Sequence, residues 1–531
     1  MNSSTWFQLE SSWRKKRFES LSRSLERRTP SYASITKEST FDSAFQSLFC
    51  FLTAKRKTMG PAKNVRAISQ EAFEGLVREN VDDLGMDPEE ALQDAIETLT
   101  LQGVDLSGIV KCIPGVSSIK DDPVVQSLDR LKEITSKLKD QDYEPSTAAF
   151  SGEVLDDITK HLDKLGDLCS TPGSGNASIA VRNGGVELVC SICSKIRAGC
   201  ERSLVSALNA MASLLHDVQT TETFRKIGGP KMMMDIIADN NRNMNILNSS
   251  FSVVAAAATG NEVVKAAFMD LKIDELLIQI MKAESRGSIG SLYDAIRVLL
   301  TPDDFRVVAS EVYGYARRFS EIGIAVALVD ALREGLSSPS LVSASIALKA
   351  VAVNDEICRL IADNGGIDAV LSCIDDSGEQ NNKIVAKAFC SLLSKLAGSD
   401  ANKTAIVQNR GMDKLMKLSS RFSDDPSVLQ EIMSIIWVLS LRSPDNAASA
   451  IEAGAGDFVI QAMEKFPTAY QMQRQACFMI RNLVVRNPEN RRILLKIGIE
   501  RLIRKAKDSH ESCKDAATDA LRDLGLDNYN S

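Results

Sequence analysis

The sequence predicts an all-α solenoid, and three observations carry that prediction. A unit of about 44 residues recurs through roughly two-thirds of the chain, the apolar residues of each unit fall at helical spacing, and aromatics make up only 5% of 531 residues. A recurring unit of this size marks stacked helical repeats, in which each unit buries its apolar face only against its neighbours. Leu, Ile, Val, Ala and Met in place of aromatics suit close helix-on-helix packing and not a β-sandwich. An array of this kind also replaces the three or four separate domains that the length alone would suggest.

Each unit is built around one phrase: a helical run, a Gly, an aliphatic residue, then Leu or Val. The phrase is anchored at Gly185, Gly229, Lys272, Gly323, Gly366, Gly411, Ala455 and Gly498, with spacings of 44, 43, 51, 43, 45, 44 and 43. Asn402, Asn446 and Asn490, 44 residues apart, mark the same phase. A short first helix must stop and turn at the anchor, and Gly there permits the left-handed conformation that closes a helix C-terminus. A second helix follows, such as Ile367 to Cys373, then a polar loop from Asp375 to Asn382. A longer third helix completes the unit, such as Val385 to Leu396.

Upstream, residues 59–169 read as a smaller helical region. Ser69 precedes an apolar pattern through Phe73, Leu76 and Val77. Asp87-Pro-Glu-Glu90 opens a second helix with Asp as N-cap, Pro at the first helical position and acids in the first turn. Its apolar stripe is Leu92, Ala95, Ile96 and Leu99. Two further amphipathic helices fall at 122–142 and 149–167, and the Pro- and Gly-containing stretch 170–175 reads as a linker before the repeats at 176–531. Residues 1–58 are Ser-rich, with Arg14, Lys15, Lys16, Arg17, Arg27 and Arg28. They read as an organelle transit segment or, preferably, as a disordered extension.

Ala476-Cys-Phe-Met-Ile-Arg-Asn-Leu-Val484 followed by Asn487-Pro-Glu-Asn-Arg491 resembles an armadillo third helix and the start of the next unit. Arg442-Ser-Pro-Asp-Asn446 and Ala397-Gly-Ser-Asp-Ala-Asn402 repeat that junction. The resemblance implies a right-handed armadillo-type α-solenoid of about eight units over residues 176–525. A narrower resemblance, to the armadillo repeat-containing protein 6 family, rests on Val77-Arg-Glu-Asn80, Gly85-Met-Asp-Pro-Glu-Glu-Ala91, Thr100 to Ser107, and Arg297 to Val307. The last of these lies in the 51-residue unit.

No enzyme is expected. The three His residues, His161, His216 and His510, sit in different units, and Cys190-Ser-Ile-Cys193 lacks the second ligand pair that a zinc site needs. No GxxxxGK[ST] motif occurs, so no cofactor or metal is expected. Eleven scattered Cys read as reduced thiols of the cytoplasm or nucleus. No apolar run is long enough to span a membrane, and the net charge of −7 disfavours nucleic acid.

What remains is protein binding by a monomer, along the groove lined by third helices. The armadillo resemblance implies a Trp and Asn ladder in import receptors. Here the Trp position holds Ser206, Ile346, Ser391, Ser434 and Phe478, and the Asn position holds Ala210, Ala350, Lys395, Val438 and Asn482. Only Phe478 with Asn482 resembles the pair, which disfavours a transport receptor for basic cargo. Trp437 reads either as a groove anchor or as core. From Arg474 to Lys507 ten basic residues, among them Arg481, Arg491, Arg492, Arg501 and Arg504, face only Glu489 and Glu500. This +8 stretch reads as a solvated face or as a docking site for an acidic or phosphorylated segment.

Overall fold

Why the repeat turns where it does is visible in the backbone. The computed structural model describes residues 66–137, 152–171, 174–196, 200–282, 289–307 and 310–526, all within one unit of residues 63–531. Residues 1–58 lie outside them, as do 138–142 and 149–151. Eight residues near the anchors take left-handed conformations: Gly184, Gly228, Lys272, Gly323, Gly365, Arg410, Gly454 and Gly498. At five anchors the left-handed residue is the one before, so Gly185, Gly229, Gly366, Gly411 and Ala455 open the second helix instead. The glycine at four of those positions is required by space. A Cβ on Gly366 would lie 2.5 Å from Ile361 Cγ2, and one on Gly411 would lie 2.6 Å from the Ile406 carbonyl oxygen.

Among the described residues there are 28 α-helices and one pair of two-residue strands, Arg66–Ala67 and Val104–Asp105, paired in parallel. Every unit has three helices. In the fifth they are Asp355–Asp363, Gly366–Glu379 and Lys383–Leu396; in the seventh, Pro444–Glu452, Ala455–Lys465 and Tyr470–Val484. The second helix of the fifth unit runs through Glu379, into the stretch expected to be a polar loop. Its extension is held by the second helix of the next unit: Lys414 pairs with Asp375, Lys417 with Glu379 at 3.1 Å, and Gly378 admits Leu418.

Third helices form one continuous row: Gly152–Ser170, Glu201–Leu214, Met244–Ala258, Gly290–Leu299, Leu341–Val351, Lys383–Leu396, Pro426–Ser440, Tyr470–Val484 and Lys514–Asp523, each packed on the next. The helices Pro123–Lys137 and Gly152–Ser170 therefore join the stack ahead of the first full unit. The hydrophobic core is continuous from Val110 to Leu524 across residues 170–175. Fully burying one Leu or Phe of this core, such as Phe389 or Leu393, contributes about 1.5–3 kcal/mol. A second, smaller core joins Phe73, Val77, Ala91, Ala95, Leu99 and Ile109. Ser69 and Asp87 cap its helices, accepting from the amides of Ala72 at 3.1 Å and Glu89 at 3.0 Å. Gln70 ties this core to the stack, donating to the Val110 carbonyl and accepting from the Val110 amide, both at 2.9 Å.

The asparagine phase marker has a physical basis. Asn490 is buried in its first helix and donates to Leu483 O and Ala447 O, both at 2.9 Å. Asn402 donates in the same way to Leu396 O at 3.0 Å and Cys358 O at 2.9 Å, and Asn446 donates to Leu439 O at 3.1 Å. Each satisfies a carbonyl at the end of the preceding third helix, where intrahelical partners run out. Asn490 and Asn402 also tie one first helix to the previous one.

In the 51-residue unit a longer clamp does this work. Lys265, fully buried, donates to Thr301 O at 2.5 Å and pairs with Asp303. Asp304 accepts from the Glu262 amide at 3.0 Å and from Arg306 at 2.8 and 2.6 Å. Glu262 in turn accepts from the Ser310 hydroxyl and the Glu311 amide. The Thr301-to-Arg306 segment that carries part of the narrower resemblance is thus a structural brace.

Candidate protein-binding face

Third helices bury two sides against their neighbours and leave one stripe open. In the fourth unit that stripe carries Ile346 and Lys349, in the fifth Lys387, Ser391 and Lys395, in the sixth Glu431, Ser434 and Trp437, and in the seventh Arg474, Phe478 and Arg481. The spacing of three and four residues is that of one helix face.

Contacts join these stripes from unit to unit. The Lys349 amine donates to Ser391 Oγ at 2.6 Å, and the hydroxyls of Ser394 and Ser434 lie 3.5 Å apart. Trp437, half-buried, stacks on Phe478 with ring centroids 5.4 Å apart and planes at 24°. The Arg474 guanidinium sits over the Phe478 ring, 5.3 Å from its centroid. Arg481 reaches the last third helix, pairing with Asp519 at 3.0 Å and Asp523 at 3.1 Å.

Trp437 is thus both packed against the core and open on this face. Asn482, one residue beyond Arg481, turns inward and donates to the Trp437 carbonyl at 2.9 Å. Contacts between units therefore run through Lys349, Ser394, Trp437 and Arg481, each one residue before the expected Asn position.

The packing around this face perturbs its charges. Burial among the helices pushes the Lys395 amine down to about 8, with Lys349 adding like-charge repulsion and Cys358 opposing the fall. Burial lowers Lys349 as well, against the attraction of Glu431. The Glu431 carboxyl is raised by burial, with Lys349 and Lys387 opposing.

Other predicted basic residues do not share the face. Arg491 and Arg492 lie on the first helix Pro488–Lys496, and Arg501 and Arg504 on the second helix Ile499–Ser509. Arg492 pairs with Glu489 at 2.7 Å, Arg504 with Glu500 at 2.8 Å, and Arg501 with Glu464 of the preceding unit at 2.6 Å. The ten basic residues are therefore split among three helices and the turn at Arg486. Carboxylates distant in sequence, Glu464, Asp519 and Asp523, lower its local charge. The site residues that the structure brings together are Lys395, Trp437, Arg474, Phe478 and Arg481. Lys349 was missed because the expected register pointed to its neighbour Ala350.

One serine–histidine pair has the look of a catalytic arrangement. Ser178 Oγ lies 3.2 Å from His216 Nε2, and Asp217 lies 3.4 Å from that same nitrogen. His216 Nδ1 meets the Leu214 carbonyl at 2.9 Å. A triad needs the carboxylate on the nitrogen opposite the serine, to orient the ring, and here it is not. His161 lies 3.4 Å from Asp157, and His510 meets the Pro467 carbonyl at 2.7 Å. Cys190 and Cys193 are buried thiols, with Cys190 pushed up to about 12 by desolvation. That is the reverse of what a metal ligand or nucleophile requires. Among the described residues no group of three or more His, Cys, Asp or Glu could hold a metal ion, and no helix is long and apolar enough to cross a membrane.

Residues 65–137 match the family model of the armadillo repeat-containing protein 6 N-terminal domain. The human armadillo repeat-containing protein 6 is 28% identical over 400 residues, covering 72% of this chain and 75% of its own. The Drosophila melanogaster homolog is 23% identical over 398 residues, covering 73% and 80%. Among solved structures, an engineered protein is similar with a TM-score of 0.60 at 16% identity, covering 86% of this chain and 99% of its own. A chain from a structure described as a phosphorylation switch controlling the interaction between cadherin and beta-catenin is similar with a TM-score of 0.51 at 15% identity, covering 76% and 78%. Both structural likenesses speak to the fold alone.

Proposed function

This chain is an armadillo-repeat solenoid similar to armadillo repeat-containing protein 6, and from that premise we propose that it is a protein-interaction scaffold, holding a segment of a partner protein on its third-helix face between Ile346 and Arg481. The observation that carries this reading is the Trp437–Phe478 stack with Arg474 over it. Trp and Arg dominate binding energy at interfaces when they sit in well-packed surroundings, and both rings of this stack pack against the core. Armadillo solenoids commonly serve as protein-binding scaffolds, and one similar structure comes from work on a regulated protein–protein interaction.

A transport receptor is the weaker reading, because the ladder it needs is reduced to Phe478 beside an Asn482 that serves the fold. The scaffold works as a monomer in the cytoplasm or nucleus, where the free thiols stay reduced.

The test is affinity purification from cells with the intact chain and with a Trp437→Ala, Phe478→Ala variant of matched helicity by circular dichroism. Loss of a specific set of partners supports the face. Identical partner sets refute it. Purification with Arg492→Glu, Arg501→Glu serves as the control, since those side chains lie on first and second helices.

A further inference from the structure

The charge on the third-helix face defines what chemistry it can receive. Between Ile346 and Phe478 the stripe presents Lys349, Lys387, Lys395 and Arg474 against one carboxylate, Glu431; at its margin Lys383 is occupied with Asp425 at 3.8 Å. The acids that neutralise the neighbouring Arg481, Asp519 and Asp523, belong to the last unit and reach no further. The Lys349 amine donates to a neutral partner, the Ser391 hydroxyl, and the one carboxylate that attracts it, Glu431, is shared with Lys387. Ile346, 39% exposed, adds apolar surface at one end, and the Trp437–Phe478 stack adds it at the other.

Spacing turns this into a pattern. Packed helices lie about 8–10 Å apart, and an extended peptide covers about 3.3–3.6 Å per residue, so about three peptide residues span one unit. Lys349 and Lys395 lie one unit apart, and the aromatic stack begins one unit further on.

We propose that this face takes an extended acidic segment of a partner protein, with two carboxylates about three residues apart at Lys349 and Lys395 and an aromatic or large aliphatic side chain about three to six residues beyond them on the Trp437–Phe478 stack. The proposal rests on the scaffold reading and names the partner chemistry within it. The low Lys395 pKa agrees: a half-buried amine crowded by Lys349 gains from an anion that stabilises its charged form.

The probe is a fluorescein-labelled peptide with two glutamates and a tryptophan at these spacings, titrated with the full chain and read by anisotropy. The peptide is expected to bind, and Lys349→Glu or Trp437→Ala is expected to weaken binding about tenfold or more. Lys387→Glu, on an exposed side chain of the same face, repeats the charge test without disturbing the Lys349–Ser391 bond. Arg492→Glu and Arg501→Glu are expected to change nothing. Any of three results overturns the proposal: equal binding of a lysine-for-glutamate peptide, binding of a phosphoserine peptide without the glutamate one, or weakening by Arg492→Glu equal to that by Lys349→Glu. Absence of peptide binding also overturns it. The scaffold reading then stands or falls separately, on whether cellular partners are lost in the Trp437→Ala, Phe478→Ala variant.

Discussion

Replacing Asn490 with alanine removes two hydrogen bonds of different worth. The Leu483 carbonyl lies among the last four of its helix, where no intrahelical donor is available. Without Asn490 it is left buried and unpaired, a loss of about 1–3 kcal/mol. The Ala447 carbonyl lies inside its own helix and keeps its helical donor, so that bond adds only about 0.5–1 kcal/mol. The expected cost of Asn490→Ala is therefore about 1.5–4 kcal/mol, concentrated at the junction of the last two units. Asn446→Ala, which removes a single bond to the helix-end Leu439 O at 3.1 Å, should cost less, about 1–3 kcal/mol, by the missing second bond. Repeat arrays do not unfold as one cooperative unit, so the assay is native-state hydrogen exchange read over residues 444–452 and 488–509. Equal loss of protection in the two variants, or a cost below about 0.5 kcal/mol for Asn490→Ala, would refute the reasoning.

Further expectations follow from other junctions. Arg410 is left-handed at a position where six other units have Gly, which costs about 1–2 kcal/mol. Glycine's greater unfolded-state entropy offsets about 0.5–1 of that, so Arg410→Gly should raise protection over residues 400–421, and unchanged or lower protection would contradict the account. Gly366→Ala should destabilise by about 1–3 kcal/mol, because its Cβ meets Ile361, and wild-type melting behaviour would show the contact to be soft. The Arg306 guanidinium holds the Asp304 carboxyl well below the usual carboxylate range. Its stabilisation is then fully present above the unfolded value of about 4 and is lost only as pH falls through the lower folded value. Hydrogen exchange over residues 262–270 should stay slow at pH 4 and become fast in Asp304→Asn at every pH; early loss of protection near pH 4 in the wild type would count against the clamp. With Lys395 brought down to about 8 and Cys358 raised to about 11, acidic-peptide affinity should fall between pH 7 and 9 in the wild type, and Lys395→Arg should lessen that fall; an unchanged fall in Lys395→Arg would contradict the account.

Much of this fold was legible in the sequence because its punctuation is chemical. Glycines that no side chain can replace and asparagines that close helix ends recur at a fixed interval, and both sit where the backbone demands them. Asp87 was readable as a cap for the same reason. The joining of Pro123–Lys137 and Gly152–Ser170 to the stack was not legible, since those helices lack the anchor phrase and meet the first full unit through apolar packing and a few scattered hydrogen bonds such as Thr159 with Ser203 at 2.8 Å. Nor was the extension of Gly366–Glu379, whose polar end is stabilised by Lys414 and Lys417 on the following unit. The binding face shows the same division. Trp437 and Phe478 stood out as residues, but their stacking depends on a register one residue away from the expected one. The basic run of the last unit misled because its neutralising acids, Glu464, Asp519 and Asp523, arrive from other helices.

The central claim is that partners meet the third helices between Ile346 and Arg481. Site-specific photo-cross-linking tests it most directly, with benzoylphenylalanine introduced in cells at Ile346 on the third-helix face, at Lys417 on a second helix and at Arg492 on a first helix. The account predicts that a specific partner is captured from position 346 and lost when Trp437→Ala is added, with neither of the other positions capturing it. Capture from position 417 or 492 with none from 346 would contradict it.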